Sequence, residues 1–310
     1  MTKTILLRIV IVIAICGALF LAYRTLSQYS LDDITSSIAQ IPKTSFLLSL
    51  GFAALSYLCL TGFDYLALHY AGKPLAYPKA ALASFTGLSI GHNVGVAALS
   101  SGAVRYRFYT RWGLSAEEIA KVILFCGLTV GIGLITLAGL CLLILPESAA
   151  KVGGMDPVTA RLVGGLCLAV IAVYLMAAAI IRGSVTIIKW PFTLPSLPLA
   201  AGQVVIGTAN FACVAACLHQ LLNASAGYME TTTAYVVGNL TALVSHVPGG
   251  LGVLEATITY LMGGAASIGA LIAFRVVYFF IPLPIGLILL VISELTLASP
   301  SAEPASSEAG

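Results

Sequence analysis

Charge is scarce in this sequence. Asp, Glu, Lys and Arg together make up 9% of its 310 residues, against roughly a quarter in an average soluble domain. That scarcity excludes an ordinary soluble enzyme. The net charge of +3 comes without any basic–aromatic surface outside a membrane-flanking cluster, so no nucleic acid partner is expected. Catalytic signatures are missing too. There is no HExxH helix, no Gly-rich phosphate loop ending in Lys-Ser/Thr, and no strand-turn nucleophile elbow is expected. The seven cysteines (16, 59, 126, 141, 167, 213 and 217) lie almost entirely within apolar runs, where they read as small buried hydrophobes. Cys213 and Cys217 share a helix face near His219, but no further ligand set with zinc-like spacing follows. Neither a disulfide, a metal nor another cofactor is expected.

What is present is apolar length. Hydrophobic residues make up 59% of the chain and the mean hydropathy is +1.03. Runs near or above the ~20 residues needed to cross a bilayer recur, at Ile5–Tyr23, Ser45–Tyr70, Ile119–Leu145, Val158–Ile181, Leu197–Leu222 and Ile268–Leu290. The first carries Lys3 and Arg8 ahead of its apolar core but no small-x-small cleavage site, so it reads as a retained helix. The tail from residue 299 to 310 is small, polar and Pro-containing and reads as disordered. The rest, 1–298, reads as one transmembrane domain.

Two further stretches, 80–101 and 233–264, are apolar enough to enter a membrane but break on Gly, Asn, His or Pro near their middle. With the N-terminus cytoplasmic and both stretches returning to the side they came from, only Arg24, Lys43, Lys151 and Arg161 among the span-flanking cations lie outside. Letting the first stretch cross instead would put the "RYRFYTR" cluster outside, against the positive-inside rule. The expected fold is an all-α polytopic membrane protein of about six transmembrane helices plus two opposed re-entrant helical hairpins, with both termini cytoplasmic. Opposed broken elements in two halves point to a midplane site.

The breaks hold the polar residues. His92 and Asn93 sit where the first hairpin turns, and either satisfy the backbone of that turn or line a cavity. Arg105, Arg107 and Arg111 alternate with aromatic residues, as an interfacial belt would. Arg105 is the one placed to point inward and hold a lipid phosphate. Ser115 reads as the N-cap of the next helix, with Glu117 and Glu118 in its first turn. In "SHVPGGLGVLEA", Pro248, Gly249, Gly250 and Gly252 suit a tight turn before a half-helix. His246 stands just ahead of that turn. Glu255 either caps the half-helix or faces a polar cavity, and a carboxylate at membrane depth is a functional candidate. Asp64 lies too deep to be incidental, with Lys73 or Arg105 as its expected partner. Arg275 lies inside the last span, with Glu255 as a plausible partner, ahead of Pro282 and Pro284, which should kink the helix. The spacing His92, Gly95, Gly102-x-x-Arg105 matches His246, Gly249, Gly252-x-x-Glu255, which suggests an inverted repeat. On that basis Arg105 and Glu255 are expected to face one cavity, with the hairpins packed on each other.

Three segments, "FDYLALHYAGKPLAYPKAALASFTGLSIGHNVGVAALSSGAVRYRFYTRWGLSAEEIAKVILF", "VSHVPGGLGVLEATI" and "FRVVYFFIPLPIGLILL", resemble the membrane region of the lysylphosphatidylglycerol synthetase/flippase family. Two-domain members of that family look like lipid flippases fused to an aminoacyl-tRNA-dependent synthetase. No synthetase segment is seen here, so the resemblance implies the translocating half, without lysyl transfer. The expected function is movement of a phospholipid, such as an aminoacylated phosphatidylglycerol, between leaflets of a bacterial inner membrane. Arg105, Arg107, His92, Asn93, His246, Gly249, Gly250, Glu255, Asp64 and Arg275 are the candidate headgroup contacts. Two other classes stay open. One is an intramembrane enzyme acting on lipid or isoprenoid, with His246 and Glu255 as acid and base. The other is a scaffold whose partner is a lipid-synthesising enzyme.

Overall fold

Apolar runs far longer than an ordinary strand have one low-energy solution in lipid, which is helix, because a single segment satisfies its own backbone there only as helix. The computed structural model describes residues 35–36, 38–94, 97–147, 154–181, 184–187, 190–223, 225–245, 247, 250–263 and 266–296. The expected first span, His246, Gly249 and the tail lie outside them. In chain order the helices are α1 (Lys43–Tyr70), α2 (Tyr77–Val94), α3 (Ala97–Arg111), α4 (Ala116–Ile144) and α5 (Pro157–Ile180). They continue with α6 (Leu197–Leu221), α7 (Tyr228–Ser245), α8 (Val253–Leu261), α9 (Ile268–Arg275), a π-helical turn (Val276–Phe280) and α10 (Pro282–Thr296). Among the described residues, five helical runs are long and apolar enough to cross a membrane: α1, α4, α5, α6 and the continuous run Ile268–Thr296. Each matches an expected span to within a few residues, except that the last runs on to Thr296.

The starts follow from local chemistry. Ser115 and Glu118 form the reciprocal capping box of α4: the Glu118 N–H donates to Ser115 Oγ at 3.3 Å and the Ser115 N–H to Glu118 Oε2 at 2.8 Å. Asp156 caps α5, accepting from the N–H groups of Val158 and Thr159, both at 3.0 Å, with Pro157 in the first turn, where its missing N–H costs nothing. The Thr159 hydroxyl, which also donates to it, holds the Asp156 carboxyl below the usual carboxylate range.

Both broken stretches are antiparallel helical hairpins. A Cβ on Gly87 of α2 would lie 3.2 Å from the Ser101 carbonyl of α3, and one on Gly238 of α7 would lie 3.0 Å from Leu254 of α8. The hairpins are longer than the sequence suggests, running to Arg111 and starting at Tyr228. At 1.5 Å per residue α2 is about 27 Å long, whereas the nine residues of α8 reach about 13 Å, under half the hydrocarbon core. Lys73 and Glu118, which flank the first hairpin, come within 3.7 Å, so the chain leaves it at the end where it came in. An element absent from the sequence reading is a two-stranded antiparallel β-hairpin, β1 (Ser184–Ile187) and β2 (Trp190–Thr193). The Tyr70 hydroxyl at the end of α1 donates to the Thr193 carbonyl at 2.6 Å, which places that hairpin at the same end.

Small residues let the spans close up. α4 crosses α6 at Gly133 and Gly207, where a Cβ on Gly133 would lie 2.4 Å from the Gly207 backbone. α1 packs along α6, with Ile206 over Gly62 and Leu66 over Gly202. The π turn and α10 lie against α2, and a Cβ on Gly286 would collide with Ser89. α5 sits at the edge and presents Val158, Leu162, Leu166, Val170 and Val173 outward, as a lipid-facing helix must.

Candidate functional site

The arginines of α3 are sorted by helix geometry. Residues four apart share a face and residues two apart are about 200° apart. Arg105 and Tyr109 therefore face one neighbour, Arg107 and Arg111 another. On the first face, Arg105 Nε donates to Asp64 Oδ1 and Nη2 to Oδ2, both at 2.7 Å. The Tyr109 hydroxyl donates to Asp64 Oδ1 at 2.7 Å, and Arg105 Nη1 to Ser101 Oγ at 2.9 Å. Cys126 Sγ of α4 lies 3.8 Å from Asp64 Oδ2. Asp64 is 0% and Arg105 4% exposed. A fork pair of this kind is strong and directional, and once buried it is costly to break from one side only. It fastens α1 to α3.

On the second face, one carboxylate serves two guanidiniums. Arg107 donates to Glu294 through Nε at 3.0 Å and Nη2 at 2.7 Å, and Arg111 Nη2 donates to the same Glu294 at 2.6 Å. Glu294 lies in the last turn of α10, so α3 bridges α1 and the end of the last span.

The last span carries the third cluster. Pro282 and Pro284 have no N–H, so carbonyls in the turn before them lose their helical donors. The break takes the form of the π turn, with the Ile281 N–H reaching the Val276 carbonyl at 2.9 Å. Donors come from other helices instead. The Tyr57 hydroxyl of α1 donates to the Tyr278 carbonyl at 3.3 Å, and Asn93 Nδ2 to the Phe279 carbonyl at 3.1 Å. Tyr278 joins its hydroxyl to Ser56 Oγ at 2.8 Å, and Ser56 donates to Asn210 Oδ1 at 2.7 Å. The His92 ring stacks on Tyr278, with centroids 6.1 Å apart. One turn earlier Arg275 donates through Nε to Glu255 and through Nη2 to the Gly250 carbonyl at 3.0 Å. Its guanidinium lies 4.5 Å from the Phe279 ring centroid. Glu255 also accepts the Gly252 N–H at 3.0 Å, so it caps α8 and pairs with Arg275 at once. Gly250 takes φ 60°, a conformation few residues other than glycine hold easily.

The expected Glu255–Arg275 pair is present, and Asp64 takes Arg105 rather than Lys73. Arg105 and Glu255, expected to face one cavity, each have a partner of their own, Asp64 and Arg275. The hairpins do not share an interface among the described residues; α2–α3 packs on α1, α4 and α10, and α7–α8 on α6, α4 and α9. They converge instead on the broken last span, through Asn93 and His92 from one side and Glu255 and Gly250 from the other. The glycines of the matched spacing are not equivalent either: Gly102 lies inside α3, whereas Gly252 precedes α8. His246 and Gly249 lie outside the described residues.

Sequence reasoning missed Glu294, Tyr109, Tyr278, Ser56 and Asn210. Tyr109 was findable from its four-residue spacing to Arg105. It also passed over the string Gly87-Leu-Ser-Ile-Gly91, which spells G-x-S-x-G. Those residues lie within α2, not at a strand-to-helix turn, and Ser89 Oγ donates to the Thr86 carbonyl. It is not a nucleophile elbow.

Long apolar helices, two antiparallel hairpins and ion pairs buried between the hairpins and their neighbours define a polytopic all-α membrane protein with a charged interior. The chain belongs to the family described as Lysylphosphatidylglycerol synthase TM region, which it matches over residues 5–288. Two relatives are similar along most of their length. The "Uncharacterized protein slr0712" of Synechocystis sp. (strain ATCC 27184 / PCC 6803 / Kazusa) is 30% identical over 266 residues, covering 83% of this chain and 82% of that one. The "Inner membrane protein YbhN" of Escherichia coli (strain K12) is 30% identical over 270 residues, covering 85% and 84% respectively.

Proposed function

We propose that this protein is a lipid translocator of the bacterial inner membrane, moving a phospholipid between leaflets without changing it. One observation carries the reading. The buried charge pairs Asp64–Arg105 and Glu255–Arg275 each join a hairpin to a neighbouring helix, and the two hairpins reach the broken last span side by side, the first at the π turn through Asn93 and the second at Arg275 just before it. Charge at membrane depth is expensive and marks a pathway for polar groups. A zwitterionic or anionic headgroup, such as that of an aminoacylated phosphatidylglycerol, offers the same charges that these residues offer one another. A zwitterionic headgroup can therefore pair with both members of a pair as they separate, leaving neither charge stranded, while its acyl tails stay in lipid. Rocking of the hairpins against the last span supplies alternating access. The family's name and the inner-membrane name of one relative support the setting. Engagement of Glu255 by both Arg275 and the Gly252 N–H favours ligand exchange over acid–base catalysis.

Reconstitution into liposomes with reporter phospholipids tests this, following leaflet position and lipid chemistry together. Exchange of unaltered lipid is expected. A new lipid product would make the protein an enzyme, and neither change would leave it a scaffold.

A further inference from the structure

Arg107, Arg111 and Glu294 form a buried cluster whose charges do not cancel: two guanidiniums share one carboxylate, which leaves one positive charge over. The side chains of Arg107 and Arg111 are 8% and 4% exposed, that of Glu294 29%. The second deficit is geometric. Arg111 Nε is buried without an acceptor among the described residues, and an unmet buried donor costs about 1–3 kcal/mol, more on a charged group. The other Arg111 contacts are Nη2 to Glu294 and Nη1 to the Ser293 carbonyl at a long 3.5 Å. The C-terminal carbonyls of α3 offset part of the excess charge, but none accepts from Nε. A third cation stands close by: Lys79 Nζ lies 5.6 Å from the ring centroid of Trp112, the residue next to Arg111.

The surplus charge draws an anion here, and a phosphate in the place of Glu294 has an oxygen to spare for Arg111 Nε. We propose that Arg107 and Arg111 form a binding site for a phosphate group, in which Glu294 acts as a built-in competitor. Glu294 takes both oxygens to Arg107 in a fork and one to Arg111, the pattern in which guanidiniums hold a phosphate. As the most exposed member, it is free to swing away when phosphate arrives. The proposal deepens and rests on the translocator reading, since the phosphodiester of a phospholipid is the natural occupant at this end of the bundle; free phosphate has the same chemistry.

Trp112 is a local reporter, and Trp190→Phe makes it the single tryptophan. The purified full chain in a phosphate-free detergent is titrated with dihexanoyl phosphatidylglycerol and, separately, with inorganic phosphate, following Trp112 fluorescence. A saturable change is expected, weakened about tenfold or more in Arg111→Gln, as loss of a charge-assisted bond implies, and tightened in Glu294→Gln. Where Arg111→Gln does not fold, Arg111→Lys keeps the charge but loses Nε, and weakened binding is expected there as well. Response to the lipid alone identifies a headgroup site; response to both at equal strength identifies a general phosphate site. No saturable change with either probe, or equal midpoints in wild type and the Arg111 variant, overturns the proposal. Leaflet exchange without a Trp112 response would sink this site and leave the translocator reading standing. Saturable binding without exchange would do the reverse.

Discussion

At the scale of single residues, the Asp64–Arg105 fork sets what substitution can reveal. Removing either partner strands the other charge in a buried position, which costs roughly 3–5 kcal/mol. Asp64→Leu and Arg105→Met should therefore each lower the unfolding temperature in detergent sharply, whereas the double variant recovers much of the loss. If the double variant falls by the sum of the two single losses, the pair contributes no coupling and its bridging role is wrong. Lost transport in Arg105→Ala alone proves nothing about phosphate, because instability predicts it too. Part of this site is legible in the sequence. A carboxylate and an arginine at membrane depth announce themselves by their rarity, and Glu255 with Arg275 could be paired on that ground alone. The choice of Arg105 over Lys73 for Asp64 could not, since it depends on how α3 is rotated against α1. Glu294 was hidden for a different reason: a carboxylate near the end of a span looks like an ordinary interfacial residue until α3 is packed beside it.

At the scale of elements, helix crossings and the broken last span yield separate predictions. Gly133→Ala forces a Cβ against the Gly207 backbone, which cannot move aside as a side chain would, so α4 and α6 must part and stability must fall. Gly131, two residues earlier, has nothing within 4 Å of its Cβ direction, and Ala there should be neutral or gain up to about 1 kcal/mol of helix propensity. Thermal unfolding of the two variants separates a crossing effect from a general intolerance of α4. Asn93→Leu removes a donor to the Phe279 carbonyl and should cost about 1–3 kcal/mol; an unchanged unfolding temperature would mean that the π turn needs no help from α2. Hydropathy and charge place the spans and hairpins because both record what each segment touches, lipid or water. The π turn is not recorded that way. Pro282 and Pro284 predict a break, but whether it becomes a kink or a π turn rests on donors from Tyr57 and Asn93, far away in sequence. The β-hairpin at 184–193 is similarly silent, lying in a short link between long apolar runs.

At the scale of the whole molecule, the bundle has a sidedness that can be read by labelling. In a background without native cysteines, Lys73→Cys should react only from the cytoplasmic side and Glu147→Cys only from outside; reaction of Lys73→Cys from outside would invert the arrangement and detach the arginine cluster from the cytoplasmic leaflet. Among the described residues the two hairpins do not pack on each other as a symmetric pair would. Both contact the last span, the first hairpin at the π turn and the second at Arg275 just before it, which makes that span the natural coupler between them. The most direct measurement of the central claim is the rate at which labelled phosphatidylglycerol in proteoliposomes becomes accessible to a membrane-impermeant quencher. Beyond the half of the label already outside, wild-type protein should expose the inner pool faster than protein-free vesicles, and Glu255→Gln, which uncouples the second hairpin from Arg275, should slow it. An inner pool as protected with wild-type protein as without it, for every phospholipid tried, would contradict the account.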